Sequence, residues 1–153
     1  MKCLVIGIGN PFRRDDGVGV KVAEAIAAAN IPDCEVGIQS GEGAALMDCW
    51  RDASRVIVID AVRSRSAPGK IHRIDAAAGH VPSDFFHYSS HAFGLAEAVE
   101  MSRALGQLPK SLHVFGIEGQ DFAEGVGLSP EIDAAANECV FQIYDLLTAV
   151  RAR

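Results

Sequence analysis

The chain has 153 residues, of which 49% are hydrophobic and 22% are charged, and its formal net charge is −6. These values are typical of one globular domain, 1–153, with a substantial core. The negative charge argues against nucleic acid or an anionic membrane as the main partner, because both recruit basic surfaces. A strand is predicted directly after Lys2, and no apolar run approaches the roughly 20 residues that span a membrane. We therefore expect a cytoplasmic protein without a signal peptide.

The four cysteines lack C-x-x-C spacing, which predicts reduced packing residues in a reducing compartment. They are Cys3, Cys34, Cys49 and Cys139.

The first predicted elements are a strand, a glycine-rich loop and a helix. The apolar run Cys3–Ile6 is bounded by Gly7 and Gly9, which indicates a strand buried on both faces. Apolar residues from Val18 onward recur at helical spacing. Asp16 is therefore expected near the helix N-terminus, where the helix dipole favours a carboxylate. In open α/β sheets ligands bind beyond the carboxyl ends of the strands, which is where this loop is predicted to lie.

The middle of the chain continues the alternation of strands and helices. Cys34–Gln39 and Arg55–Asp60 are predicted strands, separated by a short helical stripe from Gly43 to Trp50. Lys70–Ile74 follows a connection too short for a crossover helix. We therefore expect it to be antiparallel to the Arg55–Asp60 strand, at an edge of the sheet.

The last third supplies two more helices and one more strand. A helix is predicted after Ser89-Ser90, which favour N-caps, and it ends at Gly106. Leu112–Ile117 is the last buried strand, and Ser129-Pro130 marks the start of the final helix. These elements predict a three-layer αβα sandwich around a twisted, mostly parallel five-stranded sheet with one antiparallel strand.

Three residues that could perform chemistry occupy equivalent places. Asp16 follows the first strand, Asp60 ends the third, and His91 is expected to start the helix that leads to the fifth. Two carboxylates and an imidazole form a ligand set that fits a divalent metal such as zinc or nickel. Each residue also has a plain structural interpretation, as a cap, an ion-pair partner or a helix-start residue. We do not assign an aspartic-protease dyad, because it needs two carboxylates close enough to share a proton, and Asp16 with Asp60 is the only plausible pair.

Other motifs do not predict a site. The third glycine of a dinucleotide fingerprint would fall at Phe12, and the chain has neither a Walker A sequence nor a G-x-S-x-G elbow. Arg13 and Arg14 fit either a solvated charged loop or an interaction with an acidic peptide or C-terminal carboxylate. The remaining histidines are interpreted as surface or strand residues: His72, His80, His87 and His113.

Four motifs occur in order from Met1 to about Leu147: GIGN with DDGVG, a strand ending in Asp60-Ala61, SSHAFGL, and FGIEGQDFAEGVGLSPEI. This combination resembles the hydrogenase maturation endopeptidases, which trim the C-terminal tail of the large subunit of nickel–iron hydrogenases. The resemblance implies a phosphorylase/hydrolase-like αβα fold, endopeptidase activity, and the immature large subunit as the partner of a monomer. It implies nickel supplied by the precursor, for which zinc or cadmium could substitute in crystals.

The resemblance also implies roles for individual residues. Asp16, Asp60 and His91 match the family's metal-contacting residues and are the expected catalytic and metal-binding set. The expected substrate cleft is bordered by Gly9, Asn10, Gly41 and Gly43. Two positions depart from the family pattern: Asp16 stands where Glu is frequent, and Gly119 stands where proline is common.

Alternatives remain at this point. The chain could be a non-catalytic, nickel-dependent checkpoint for the immature subunit, or it could act on another nickel or zinc protein. It could also be a small-molecule hydrolase on the same scaffold, since fold does not fix function. A small-molecule hydrolase needs a deep enclosed pocket, whereas a protease acting on a folded precursor needs an open groove.

Overall fold

The computed structural model describes residues 2–86 and 92–151. These residues form five strands and four α-helices, which alternate except that the fourth strand follows the third without a helix between them. One 3-10 helix precedes the first α-helix (Arg14–Gly17), and another precedes the third (Ser83–Phe86). The strands are β1 (Cys3–Ile8), β2 (Cys34–Gln39), β3 (Arg55–Val62), β4 (Ile71–Asp75) and β5 (Ser111–Glu118). The helices are α1 (Val18–Ala28), α2 (Gly43–Trp50), α3 (Leu95–Ala104) and α4 (Pro130–Arg151).

The strands form one sheet in the order β2-β1-β3-β5-β4. All neighbours are parallel except β4, which is antiparallel to β5 at the edge. The predicted five-stranded, mostly parallel sheet is therefore confirmed, including the antiparallel edge strand. The expected neighbour of that strand was wrong, because β5 lies between β3 and β4. β5 is buried over most of its length and so takes the interior position, whereas β4 has the alternating burial of an edge strand.

Two apolar layers cover the sheet and confirm the predicted three-layer sandwich. On one face, alternate residues of β3 such as Val56 and Val58 pack with α2 and α3, where Trp50 is fully buried. On the other face, Ile57 and Ile59 pack against α1 and α4. Successive side chains of β3 point to opposite faces of the sheet and so pack in different layers, as expected for a central strand.

Some predicted boundaries differ from the observed ones. β3 continues two residues beyond Asp60 because Ala61 and Val62 keep pairing with β5. β4 is shifted one residue from Lys70–Ile74, whereas α4 begins at Pro130 as predicted.

The predicted start of the third α-helix was wrong. α3 begins at Leu95, and the Glu97 carboxylate accepts the Gly94 N–H at 2.9 Å, which satisfies a donor at the helix N-terminus. Ser89, Ser90 and His91 lie outside the described residues. The residue in the N-cap position of α3 is Gly94.

All four cysteines are free thiols, and Cys139 is buried. None of the helices within residues 2–86 and 92–151 has the length and apolar character needed to cross a bilayer.

Candidate functional site

The loop from β1 to the first 3-10 helix positions Asp16. Gly9 has a φ of 147°, and a side chain there would overlap the carbonyl oxygen of Asp16. The Gly9 N–H donates to the carbonyl of Gln39 at 3.2 Å, and the Asn10 N–H donates to Asp16 Oδ2 at 2.9 Å. The chain therefore folds back tightly, and the half-buried Asp16 carboxylate is oriented by a backbone donor at the carboxyl edge of the sheet.

Asp60 lies in β3 near the same edge. It is 6% exposed, and its Oδ1 accepts the N–H of Ala61 at 2.8 Å. Because side chains alternate along a strand, Asp60 shares the α2–α3 face with Val58 and Val62. Its partner on β5 is Gly116, which brings no side chain to this row of the sheet.

Close packing joins the elements that carry these two aspartates. A side chain at Gly19, in the first turn of α1, would overlap the carbonyl oxygens of Ile8 and Ile59. The first 3-10 helix also contacts β3. Asp16 and Asp60 are thus brought to the same edge of the sheet, between β1 and β3.

His91 lies outside the described residues. Phe93, two residues further on, is fixed against the start of α2, because the Gly43 N–H donates to its carbonyl at 2.8 Å. The Phe93 ring packs directly against Gly43, and a side chain at that position would overlap the ring. Gly41 precedes Gly43 at the carboxyl end of β2, with a φ of 101°.

Among the described residues, no three His, Cys, Asp or Glu side chains are grouped so that they could hold a metal ion. Asp16 and Asp60 would supply two oxygen ligands of the predicted set. Their chemistry fits a divalent transition ion only with further ligands, such as an imidazole or donors brought by a substrate.

Asp15 is a buried residue whose role sequence reasoning missed. It has no exposed surface, and its carboxylate accepts four hydrogen bonds. Oδ2 accepts the N–H groups of Gln120 (2.9 Å) and Asp121 (2.8 Å) and the Ser129 hydroxyl (2.8 Å), and Oδ1 accepts the Ser129 N–H (2.7 Å). Burial raises the pKa of Asp15, but the hydrogen bonds from Ser129, Asp121 and Gln120 outweigh it, so the pKa is lowered overall.

Glu118 is a second buried carboxylate that sequence reasoning missed. It is 2% exposed, and it accepts the Ser64 hydroxyl at 2.6 Å and the Ser64 N–H at 2.8 Å. His72 Nε2 lies 3.3 Å from Glu118 Oε1, and the His72 ring contacts the Phe85 ring with centroids 4.9 Å apart. His72 is a strand residue, as interpreted, but its side chain is largely buried. The available signal was a carboxylate ending an otherwise buried strand.

A groove opens beside Asp16. Its cavity of about 470 Å³ is lined by described residues of two loops: Asn10, Phe12, Arg13, Phe122, Ala123 and Glu124. Asn10 is therefore a predicted cleft residue that lines this groove and also contacts Asp16.

Comparison with known proteins identifies the family. The family model for HycI, described as hydrogenase maturation protease, matches residues 20–146. The chain belongs to the hydrogenase maturation protease family. The matched region includes Asp60 and His91 and begins after Asp16. The resemblance inferred from the motifs is thereby confirmed.

Individual relatives agree with the family model. The hydrogenase 2 maturation protease of Escherichia coli (strain K12) is 29% identical over 151 residues, which cover 96% of this chain and 91% of that protein. The structure of the hydrogenase maturating endopeptidase HybD from E. coli superposes with a TM-score of 0.78 at 23% identity, covering 98% of this chain and 94% of that one. The solution structure of an endopeptidase from E. coli gives a TM-score of 0.81 at 26% identity, covering 94% and 90%. The αβα fold of this maturation protease family member is thus that of solved endopeptidases.

Proposed function

We propose that this chain removes the C-terminal extension from the large-subunit precursor of a nickel–iron hydrogenase after nickel has been inserted. The observation that carries the proposal is the placement of Asp16 and Asp60 at one edge of the sheet, in a chain that belongs to the hydrogenase maturation proteases. The open groove beside Asp16 also supports a folded protein substrate over a small molecule.

Nickel enters this scheme as part of the substrate. Asp16, Asp60 and His91 provide carboxylate and imidazole ligands, a set that fits a divalent transition ion held by the precursor. The Asn10 and Ala61 N–H groups orient the two carboxylates, as hydrogen bonds from outside the ligand set commonly do. Docking then depends on nickel, so a precursor without the metal is left uncut.

Cleavage adds water across one peptide bond. The water oxygen bonds to the carbonyl carbon, the C–N bond breaks, and the leaving amine takes a proton. Asp16 or Asp60 accepts the proton of the attacking water and then transfers it to the amine, which is general base and general acid catalysis. When bound, nickel supplies a Lewis acid that can polarise the scissile carbonyl.

The decisive experiment mixes the purified chain with the large-subunit precursor of a nickel–iron hydrogenase from the same organism. The precursor is prepared with and without nickel, and the products are weighed by mass spectrometry. We expect one cut near the C-terminus of the nickel-loaded precursor and none without nickel. If the nickel-loaded precursor stays uncut, the chain is better explained as a non-catalytic checkpoint for the immature subunit.

Variants then test the site residues. Asp16→Asn, Asp60→Asn and His91→Ala should each lower the processing rate by roughly 100-fold or more, a typical range for acid–base residues. Asp52→Asn is the matched control, since Asp52 is exposed and precedes β3 at the opposite edge of the sheet. Normal processing by all three site variants would show that these residues are not the site.

A further inference from the structure

The groove beside Asp16 is lined by side chains to which the proposed cleavage assigns no role. Its volume of about 470 Å³ falls within the range of roughly 300–1,000 Å³ that is usual for ligand sites. Asn10 connects the groove directly to the proposed site, because this lining residue donates its backbone N–H to the Asp16 carboxylate. A segment bound here would therefore lie next to the residues proposed to act on the scissile bond.

Backbone pairing fixes one wall of the groove. The Gly125 N–H donates to the Phe12 carbonyl at 2.9 Å, and the Arg14 N–H donates to the Gly125 carbonyl at 3.0 Å. On this paired backbone the side chain of Phe12, which lines the groove, is 68% exposed, and that of Val126, which follows Gly125 outside the lining, is 74% exposed. Exposed apolar side chains on a fixed backbone provide a contact surface for an apolar group of a partner.

Two arginines contact Phe122, which lines the groove: Arg13 is itself a lining residue, whereas Arg63 lies outside the lining. Arg13 Nε donates to the Phe122 carbonyl at 3.3 Å, and the Arg63 guanidinium lies 5.7 Å from the centre of the Phe122 ring. Both arginines are exposed, and within residues 2–86 and 92–151 neither forms an ion pair with a carboxylate. Arg14 differs, since its Nε lies 3.6 Å from Asp121 Oδ2.

The charge around Phe122 contrasts with that of the whole chain. The formal net charge is −6, yet Arg13 and Arg63 present two positive groups without a described counter-ion. Glu124, which also lines the cavity, is exposed and supplies an opposing charge on the loop. Guanidinium groups bind carboxylates through paired, charge-assisted hydrogen bonds, so the complementary ligand is an acidic side chain.

We propose that this groove binds an Asp or Glu side chain of the precursor's C-terminal extension. The carboxylate lies on Arg13 and Arg63, and a neighbouring apolar side chain packs on Phe12 and Val126. Since the groove adjoins Asp16, the residues of the extension that bind in it lie close to the scissile bond, away from the C-terminus of the precursor. This inference rests on the proposed function, because it assigns the substrate segment of that same site.

A binding experiment tests the contact without requiring cleavage. The extension from the large-subunit precursor of the same organism is synthesised as a fluorescently labelled peptide, and its Kd is measured by fluorescence anisotropy. We expect the Kd to rise about tenfold when the acidic residues of the peptide are changed to amides, or when the chain carries Arg13→Gln with Arg63→Gln. Arg51→Gln, which removes one positive charge at the opposite edge of the sheet, should leave the Kd unchanged.

Three binding results would overturn the inference. The first is an extension that contains neither Asp nor Glu. The second is an unchanged Kd for the double arginine variant. The third is a Kd that rises only when the peptide ends in a C-terminal amide, which would identify the chain end as the ligand.

Processing kinetics separate this inference from the proposed function. With nickel-loaded precursor, the double arginine variant should raise KM about tenfold while kcat stays within about twofold of wild type. If wild type cuts the precursor and the variant matches it in KM, only the groove assignment fails. If wild type does not cut, the proposed function fails and this inference fails with it. Thermal unfolding of the variant checks that its fold is intact.

Discussion

Asp15 and Asp16 are adjacent in the chain, but the protein uses their carboxylates in different ways. Asp15 is fully buried and accepts four hydrogen bonds that join the first 3-10 helix to the loop between β5 and α4. Asp16 is half-buried, is oriented by the Asn10 N–H, and lies beside the groove. The first carboxylate therefore anchors the 3-10 helix that carries the second.

The same division recurs on neighbouring strands. Glu118, at the end of β5, accepts two hydrogen bonds from Ser64 and holds the connection between β3 and β4. Asp60, on β3, is a proposed metal-binding and catalytic residue. Substitution of the loop-holding carboxylates should thus lower the stability of the fold, whereas substitution of the proposed site carboxylates should lower activity.

The largest expected contrast is between Asp15→Asn and Asp16→Asn. In Asp15→Asn, an NH2 group replaces a carboxylate oxygen that accepts hydrogen bonds, so donors would face a donor. The change should lower the free energy of unfolding by about 3 kcal/mol. Asp16→Asn should change it by less than about 1 kcal/mol while lowering processing by roughly 100-fold. Urea unfolding and the precursor assay measure the two effects. The reverse pattern would show that Asp16 holds the loop and Asp15 serves the reaction.

This contrast also shows how far the sequence alone reached. Apolar runs and helical stripes predicted the five strands, the antiparallel edge strand and the sandwich, because burial imposes periodicity on sequence. The motifs indicated Asp16 and Asp60, and the structure brings both to one edge. The hydrogen-bond partners of Asp15 and Glu118 were not predictable, because Ser129 and Ser64 lie far away in the chain and become neighbours only on folding. The start of α3 was wrong because Ser89-Ser90 is a local cap signal, whereas Gly94 and Glu97 form the real start.

The next largest effect is expected from Gly9→Ala. Gly9 has a φ of 147°, and the added methyl group would overlap the Asp16 carbonyl, so we expect a loss of about 2 kcal/mol of stability and slower processing. Gly106→Ala is the matched control, since Gly106 also has a positive φ but has nothing within 4 Å of an added Cβ. Thermal unfolding should show a smaller loss for the control, together with normal processing. Equal effects of both variants would mean that φ alone, and not the approach to Asp16, constrains Gly9.

A smaller effect is expected from Glu118→Gln. The amide retains one acceptor, so Ser64 loses part of its hydrogen bonding and stability should fall by about 1–2 kcal/mol. Because Arg63 adjoins Ser64, KM for the precursor should also rise while kcat changes little. Glu131→Gln, on the exposed first turn of α4, is the control for charge. A fall in kcat without loss of stability would instead place Glu118 among the reacting groups.

The smallest expected effect is a pH dependence carried by Asp15. The pKa of Asp15 in the folded chain is lowered, so the ionised carboxylate contributes stability above its unfolded pKa of about 3.9. That contribution is lost as the pH falls through the lower folded pKa. The difference in free energy of unfolding between wild type and Asp15→Asn should therefore be constant from pH 7 to about pH 5 and shrink below about pH 4. Urea unfolding of both proteins over this range measures it, with Asp52→Asn as the exposed control. A difference that stays constant or grows towards low pH would mean that the buried hydrogen bonds do not favour the ionised form, and that Asp15 holds the loop as a neutral acid.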